Sequence, residues 1–144
     1  MSALNAPALH NVFFYMSKQV FTIRISKMLI DVKDLMEWGH IRHVPVVNEK
    51  DEVVGMVSHR DLLSASVSSV AENRSAAERN QQLRAISLEN VMRSPVTTIS
   101  PDTAIQEAAR LMRAKKIGCL PVIQKGKLVG ILTDYDLLKI VEEL

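Results

Sequence analysis

Two stretches of this chain are nearly the same text. Ile41 to Leu63, IRHVPVVNEKDEVVGMVSHRDLL, returns as Ile117 to Leu138, IGCLPVIQKGKLVGILTDYDLL, with one residue lost from the polar turn. Pro45 answers Pro121 at an offset of 76, while Gly55 answers Gly130 and Asp61 answers Asp136 at 75. Eight of the 22 paired positions are identical, and Ser58 against Thr133 keeps its hydroxyl. One repeated supersecondary unit cannot close its own apolar face, so two must pack together around a pseudo-symmetric cleft. Function is to be sought in that cleft.

The pairing extends backwards, with Tyr15 to Ile23 (YMSKQVFTI) over Val91 to Ile99 (VMRSPVTTI). Inside the second copy Ile105, Ala108, Ala109 and Met112 fall at i, i+3, i+4 and i+7, one face of a helix. Thr103 with Gln106 predicts a capping box at its start, just after Pro101. The matching face of the first copy is Leu29, Val32 and Met36, with Lys33 in the slot of Ala109. Two short apolar runs follow each helix, Val44 to Val47 then Val53 to Val57, and Leu120 to Ile123 then Leu128 to Leu132. Continuous apolar runs suit strands covered on both faces, and the polar turns between them suit hairpins. Pro45 and Pro121 lack an N–H, which predicts strands that lie at a sheet edge or begin at the proline. Each copy therefore reads strand, helix, strand, strand, helix. The divisions are an N-terminal lead-in over 1–14, repeat 1 over 15–72, a polar helical connector over 73–90 and repeat 2 over 91–144. The connector follows a helix from about Asp61 that runs on or breaks near Asn73. Val12 to Met16 forms a short apolar packing element.

Composition sets the outer bounds. A chain of 144 residues that is 47% apolar fills one compact domain. Lys plus Arg exceeds Asp plus Glu by 18 − 16 = 2, without a basic stripe, so nucleic acid is not an expected partner. The single Cys119 rules out an internal disulfide and suits a reducing cytoplasm. No signal-peptide pattern or membrane-length apolar run is present, which predicts no membrane segment. His40 and His43 straddle a helix-to-strand junction without a third ligand at fixed spacing, so no metal is expected. Cys119 lies in an apolar strand and reads as a buried thiol, and no catalytic residue or cofactor can be named.

Ser58 with Asp61, and Thr133 with Asp136, stand where an apolar strand enters the last helix of each copy. Ser or Thr followed three residues later by an acid resembles a capping box. The same place suits a ligand: a helix N-terminus attracts anions, and a carboxylate there can accept from the two hydroxyls of a ribose.

IRHVPVV with VVGMVSHRDLL, together with SPVTTISPDTAIQEAARLM, IGCLPVI and LVGILTDYDLL, resembles tandem cystathionine-β-synthase (CBS) domains over about residues 15 to 140. The resemblance implies a mixed α+β fold, with two pseudo-twofold-related β-α-β-β-α units packed as one CBS pair. It also implies a homodimer and an adenosyl ligand, such as AMP, ADP, ATP or S-adenosylmethionine, bound between repeats. The ribose-binding acid falls on Asp61 and Asp136, and its adjoining hydroxyl on Ser58 and Thr133. Basic residues before the proline-containing strand, Arg42 and His43, would contact phosphate, whereas the second copy has Gly118 and Cys119 there. His59 and Arg60 could also face phosphate, although first-turn residues are more often solvated. The lead-in of the other repeat would complete each site, Arg93, Ser94, Pro95 and Val96 walling an adenine beside Asp61, and Ser17 to Val20 serving Asp136.

The expected function is a ligand-sensing regulatory module acting on a separate target protein, because the chain ends soon after the second repeat. The alternative is a structural dimerisation module with no physiological ligand, in which the four residues Ser58, Asp61, Thr133 and Asp136 are caps.

Overall fold

The computed structural model describes residues 9–67 and 75–144. The predicted break near Asn73 and the first eight residues of the lead-in lie outside them. In chain order the elements are α1 (Val12–Tyr15), β1 (Ile23–Arg24), α2 (Leu29–Gly39), β2 (His43–Val47), β3 (Val53–Ser58) and α3 (His59–Val67). There follow α4 (Ala76–Arg84), a 3-10 turn (Leu88–Asn90), α5 (Ile105–Lys115), β4 (Cys119–Gln124), β5 (Lys127–Thr133) and α6 (Asp134–Glu143). Mixed helix and strand, arranged helix, strand, strand, helix in each copy, is the fold class read from the repeat.

The chain divides into two compact units, and their borders are out of phase with the repeats. One unit is Phe21–Val96, and the other joins the residues up to Val20 to Thr97–Leu144. Each repeat thus leaves its first segment, up to Val20 or Val91–Val96, in the unit that holds the strands of the other.

In the Phe21–Val96 unit the sheet runs β1-β2-β3, with β1 parallel and β3 antiparallel to β2. Val44, Val46 and Val57 are fully buried and pack with Leu29, Val32 and Met36 of α2, the face read from the spacing. Burying each such side chain contributes about 1.5–3 kcal/mol. The connector supplies α4, started by Ser75, whose hydroxyl accepts from the Glu78 N–H at 3.2 Å. It adds Leu83 and Leu88 to the same core.

In the other unit β4 and β5 pair antiparallel, and Ile105, Ala108 and Met112 of α5 are buried against Leu120, Val122 and Leu132. Val12 and Met16 join that core, as expected of an apolar packing element. The predicted first strand of repeat 2 shrinks to one parallel bridge, Ile99 with Val122, in the register that Ile23 holds to Val46.

Two local expectations need correction. Pro45 lies inside the central strand of its sheet rather than at an edge. It is tolerated because its partner Met56 turns both backbone groups away: the Met56 N–H donates to Arg93 O at 3.1 Å, and Met56 O accepts from Arg93 N–H at 2.9 Å. Pro45 therefore holds a non-hydrogen-bonded site of the antiparallel ladder, where no N–H is required. Pro121 opposite Ile131 holds the same kind of ladder site, but in an edge strand of a two-stranded sheet, as expected; its carbonyl accepts from Ile99 N–H at 3.1 Å. The second correction concerns α5, whose N-cap is Ala104 and which has no side-chain cap. The Thr103 hydroxyl instead accepts from Ser100 N–H at 3.2 Å and closes the turn before the helix.

Candidate functional site

The lead-in of one repeat crosses the last strand of the other at a glycine. Beside β3, Arg93 exchanges both backbone hydrogen bonds with Met56; beside β5, Ser17 does the same with Ile131, both at 2.9 Å. A Cβ at Gly55 would meet the Met92 side chain, and one at Gly130 would meet Met16 and, at 2.9 Å, the Ser17 carbonyl oxygen. At Gly130 the backbone itself leaves no room for a side chain, while at Gly55 the Met92 side chain fills the space.

That crossing carries Arg93 to the start of α3. The Ser58 N–H donates to Asp61 Oδ2 at 2.8 Å, and the Asp61 N–H donates to Ser58 Oγ at 3.1 Å, a reciprocal cap. Arg93 Nε donates to Asp61 Oδ1 at 3.2 Å. Thr133 and Asp136 build the same cap on α6, with Thr133 N–H donating to Asp136 Oδ2 at 2.9 Å and Asp136 N–H to Thr133 Oγ1 at 3.4 Å. Among the described residues Asp136 has no ion-pair partner, since Ser17 stands in the position of Arg93.

The other predicted residues are distributed as follows. Ser94 and Pro95 are exposed and Val96 is half-buried, and none of the three hydrogen-bonds to Asp61. His43 opens β2 directly opposite Ser58. Arg42 is exposed, and its carbonyl accepts from His59 N–H at 2.7 Å. Arg42 lines a groove of about 490 Å³ together with Lys33, His40 and His59 over Met36, Ile41 and Leu62. Asp61 does not line it, so the structure groups Asp61 with Ser58 and Arg93, and Arg42 with His59. Arg60 is exposed on the first turn of α3. Sequence reading placed Arg93 beside Asp61 but missed the ion pair; an arginine on one lead-in facing an acid on the other repeat was its available signal. Among the described residues no group of three His, Cys, Asp or Glu could hold a metal, and no helix is long and apolar enough to cross a membrane. Cys119 is buried, and desolvation, with smaller contributions from Asp134 and Asp136, pushes its thiol pKa up.

The model of the CBS domain matches this chain twice, over residues 11–68 and 88–143. The chain belongs to the CBS domain family. A CBS domain-containing protein of Dictyostelium discoideum is 34% identical over 125 residues, 85% of each chain. The chain also matches the homoserine O-acetyltransferase of Methanohalobium evestigatum at 30% identity, but spans only 23% of that protein. Among solved structures, a Vibrio cholerae protein named for acetoin utilization is 37% identical, with a TM-score of 0.76 over 94% of this chain and 93% of that one. The CBS domain pair of protein MJ0100, in complex with 5'-methylthioadenosine and S-adenosyl-L-methionine, has a TM-score of 0.78 at 22% identity, covering 94% and 98%. CBSX2 in complex with AMP has a TM-score of 0.75 at 23% identity, covering 93% and 97%. At those identities the last two show the CBS-pair fold.

Proposed function

We propose that this CBS pair is a ligand-sensing regulatory module with no catalytic role of its own. An adenosyl nucleotide such as AMP, ADP, ATP or S-adenosylmethionine binds beside Asp61, and the bound form modulates a separate target protein. The observation that carries the reading is the carboxylate of Asp61, held at the start of α3 with a lead-in segment clamped beside it. A ribose diol can donate to that carboxylate, as it does to the acid of dinucleotide folds. Arg42 and His43 contribute phosphate contacts, and the stem of Arg93 with Ser94, Pro95 and Val96 forms the adenine wall. Asp136 and Thr133 form a second, less basic site. Ligands carried by structurally similar CBS pairs, AMP and S-adenosyl-L-methionine, support the ligand class. In the Thr97–Leu144 part, exposed Tyr135, Leu138 and Val141 of α6 supply apolar side chains for a homodimer, and so, on its own unit, does exposed Leu63 of α3. A cytoplasmic setting goes with the unpaired cysteine.

A second reading has its own observation. Both acids already serve as helix caps, which is the whole of their role in a dimerisation module without a ligand. Thermal denaturation of ligand-stripped protein with AMP, ADP, ATP and S-adenosylmethionine separates the two. Saturation to about 100 times Kd stabilises a fold by about 2.7 kcal/mol. Asp61→Ala is expected to weaken nucleotide binding more than Asp136→Ala. A midpoint that no adenosyl compound moves would leave the capping reading standing alone.

A further inference from the structure

The two oxygens of Asp61 are used differently. Oδ2 completes the cap with Ser58, while Oδ1 accepts from Arg93 Nε at 3.2 Å. The backbone of Arg93 is tied to Met56 through both its N–H and its C=O. Its side chain, by contrast, is 62% exposed, against 11% for Asp61. The guanidinium can therefore leave Asp61 by side-chain rotation alone. Ser17, in the equivalent place, is clamped to Ile131 in the same way but brings no charge to Asp136.

We propose that Arg93 makes the Asp61 site selective for phosphorylated adenosyl ligands over neutral nucleosides, an inference that rests on the ligand-binding reading above. A ribose diol that donates to Asp61 Oδ1 competes with Arg93 for that oxygen. A neutral nucleoside gives the displaced guanidinium nothing in return. A nucleotide offers it a phosphate, whose oxygens match the planar fork of arginine in a charge-assisted pair. Loss of one ion pair is then offset by gain of another. The Asp136 site has no such competitor and admits uncharged adenosyl groups, so the two sites differ in ligand class.

The test is calorimetric titration of the ligand-stripped full chain with AMP and with adenosine, in an Asp136→Ala background that removes the second site. Arg93→Met keeps the aliphatic stem and removes the competing charge. It is expected to tighten adenosine about two- to fivefold, the range of an exposed ion pair, and to weaken AMP at least about tenfold, as loss of a charge-assisted bond does. Loss of AMP binding with adenosine unchanged makes Arg93 a phosphate contact only and overturns the competition; parallel loss of both makes it structural and overturns it too. If AMP fails to bind with Arg93 intact, the sensing function falls and the selectivity falls with it. If AMP binds and adenosine merely fails to tighten, the selectivity alone falls. Salt gives a measurement without any variant, since the Debye length drops from about 30 Å at 0.01 M to about 3 Å at 1 M. Weakening the Arg93–Asp61 pair in this way should tighten the weaker adenosine-binding event of the natural chain. An affinity that stays flat or declines counts against the proposal.

Discussion

Alanine at the two crossing glycines should behave differently, because what blocks the new methyl differs. At Gly55 the added Cβ lands on the Met92 side chain, with the Met92 sulfur and Cγ nearest and its Cβ at 3.1 Å. The thioether end can rotate away, so relief requires only a shift of a few tenths of an ångström near the Met92 Cβ. At Gly130 the Met16 side chain is again close, but the Ser17 carbonyl oxygen also stands at 2.9 Å. That oxygen accepts the Ile131 N–H at 2.9 Å and cannot retreat without stretching the bond. Overpacking costs about 1–3 kcal/mol, a weakened backbone hydrogen bond about 1 kcal/mol more, and replacing glycine returns about 0.4–1 kcal/mol through the unfolded chain. Gly55→Ala is therefore expected to lose about 1 kcal/mol and Gly130→Ala about 2–3 kcal/mol. The difference amounts to a few degrees in Tm at about 2–4 °C per kcal/mol for a chain of this length. Urea unfolding of the single variants and of two double variants checks the cause. Met92→Ala should restore most of what Gly55→Ala loses, whereas Met16→Ala should not restore Gly130→Ala, because the carbonyl remains. Equal losses at the two glycines, or rescue at Gly130 by Met16→Ala, would show that the Ser17 carbonyl does not set the cost at Gly130.

Two further outcomes follow from the caps and the cysteine. Ser58→Ala removes the oxygen that holds the Asp61 N–H, and should cost about 0.5–2 kcal/mol in urea unfolding; a midpoint equal to wild type would show that the hydroxyl contributes nothing. The Cys119 thiol, pushed up by burial, stays protonated in the folded protein while the unfolded thiol ionises near 8.5. Its contribution is thus constant below about pH 8 and is lost as pH rises above it, at up to about 1.4 kcal/mol per pH unit. Cys119→Ala should flatten the decline in stability between about pH 8.5 and 10, and a slope unchanged by the substitution would show that the decline belongs to other groups.

How much of this was legible in the chain depends on whether the cause was local. Helix faces at Leu29, Val32, Met36 and Ile105, Ala108, Met112 are local periodicities, and all six residues are buried. The strand pairs around Pro45 and Pro121 are legible for the same reason. The place of Pro45 in a central strand was not, because it turns on which side of β3 faces outward. That side is decided by Arg93, 37 residues after Met56, whereas Pro121 lies in an edge strand as expected. The cap of α5 failed for a smaller reason: the N-cap is Ala104, and the Thr103 hydroxyl serves the turn at Ser100 instead. At the candidate site Asp61 and Ser58 are three residues apart and announce their hydrogen bonds, whereas the Arg93 ion pair joins residues 32 apart and depends on the crossing.

The exchange of lead-ins has a consequence for how the two sites diverge. In a repeat that kept its own first segment, a substitution there would alter its own site. Here the segment around Arg93 belongs by sequence to repeat 2, yet its guanidinium meets the acid of repeat 1; the segment around Ser17 belongs to repeat 1, yet it lies beside β5 of repeat 2. Each acid is constrained by its own helix cap, so Asp61 and Asp136 stay alike, while the group facing each is set by the lead-in of the other copy. A change at position 93 therefore alters the group paired with Asp61 while leaving the residues of the cap, the strand and the glycine as they are. Arginine against serine at these crossing positions is such a change. It lets two near-identical frameworks hold sites of different charge while Gly55 and Gly130 keep the crossing itself unaltered.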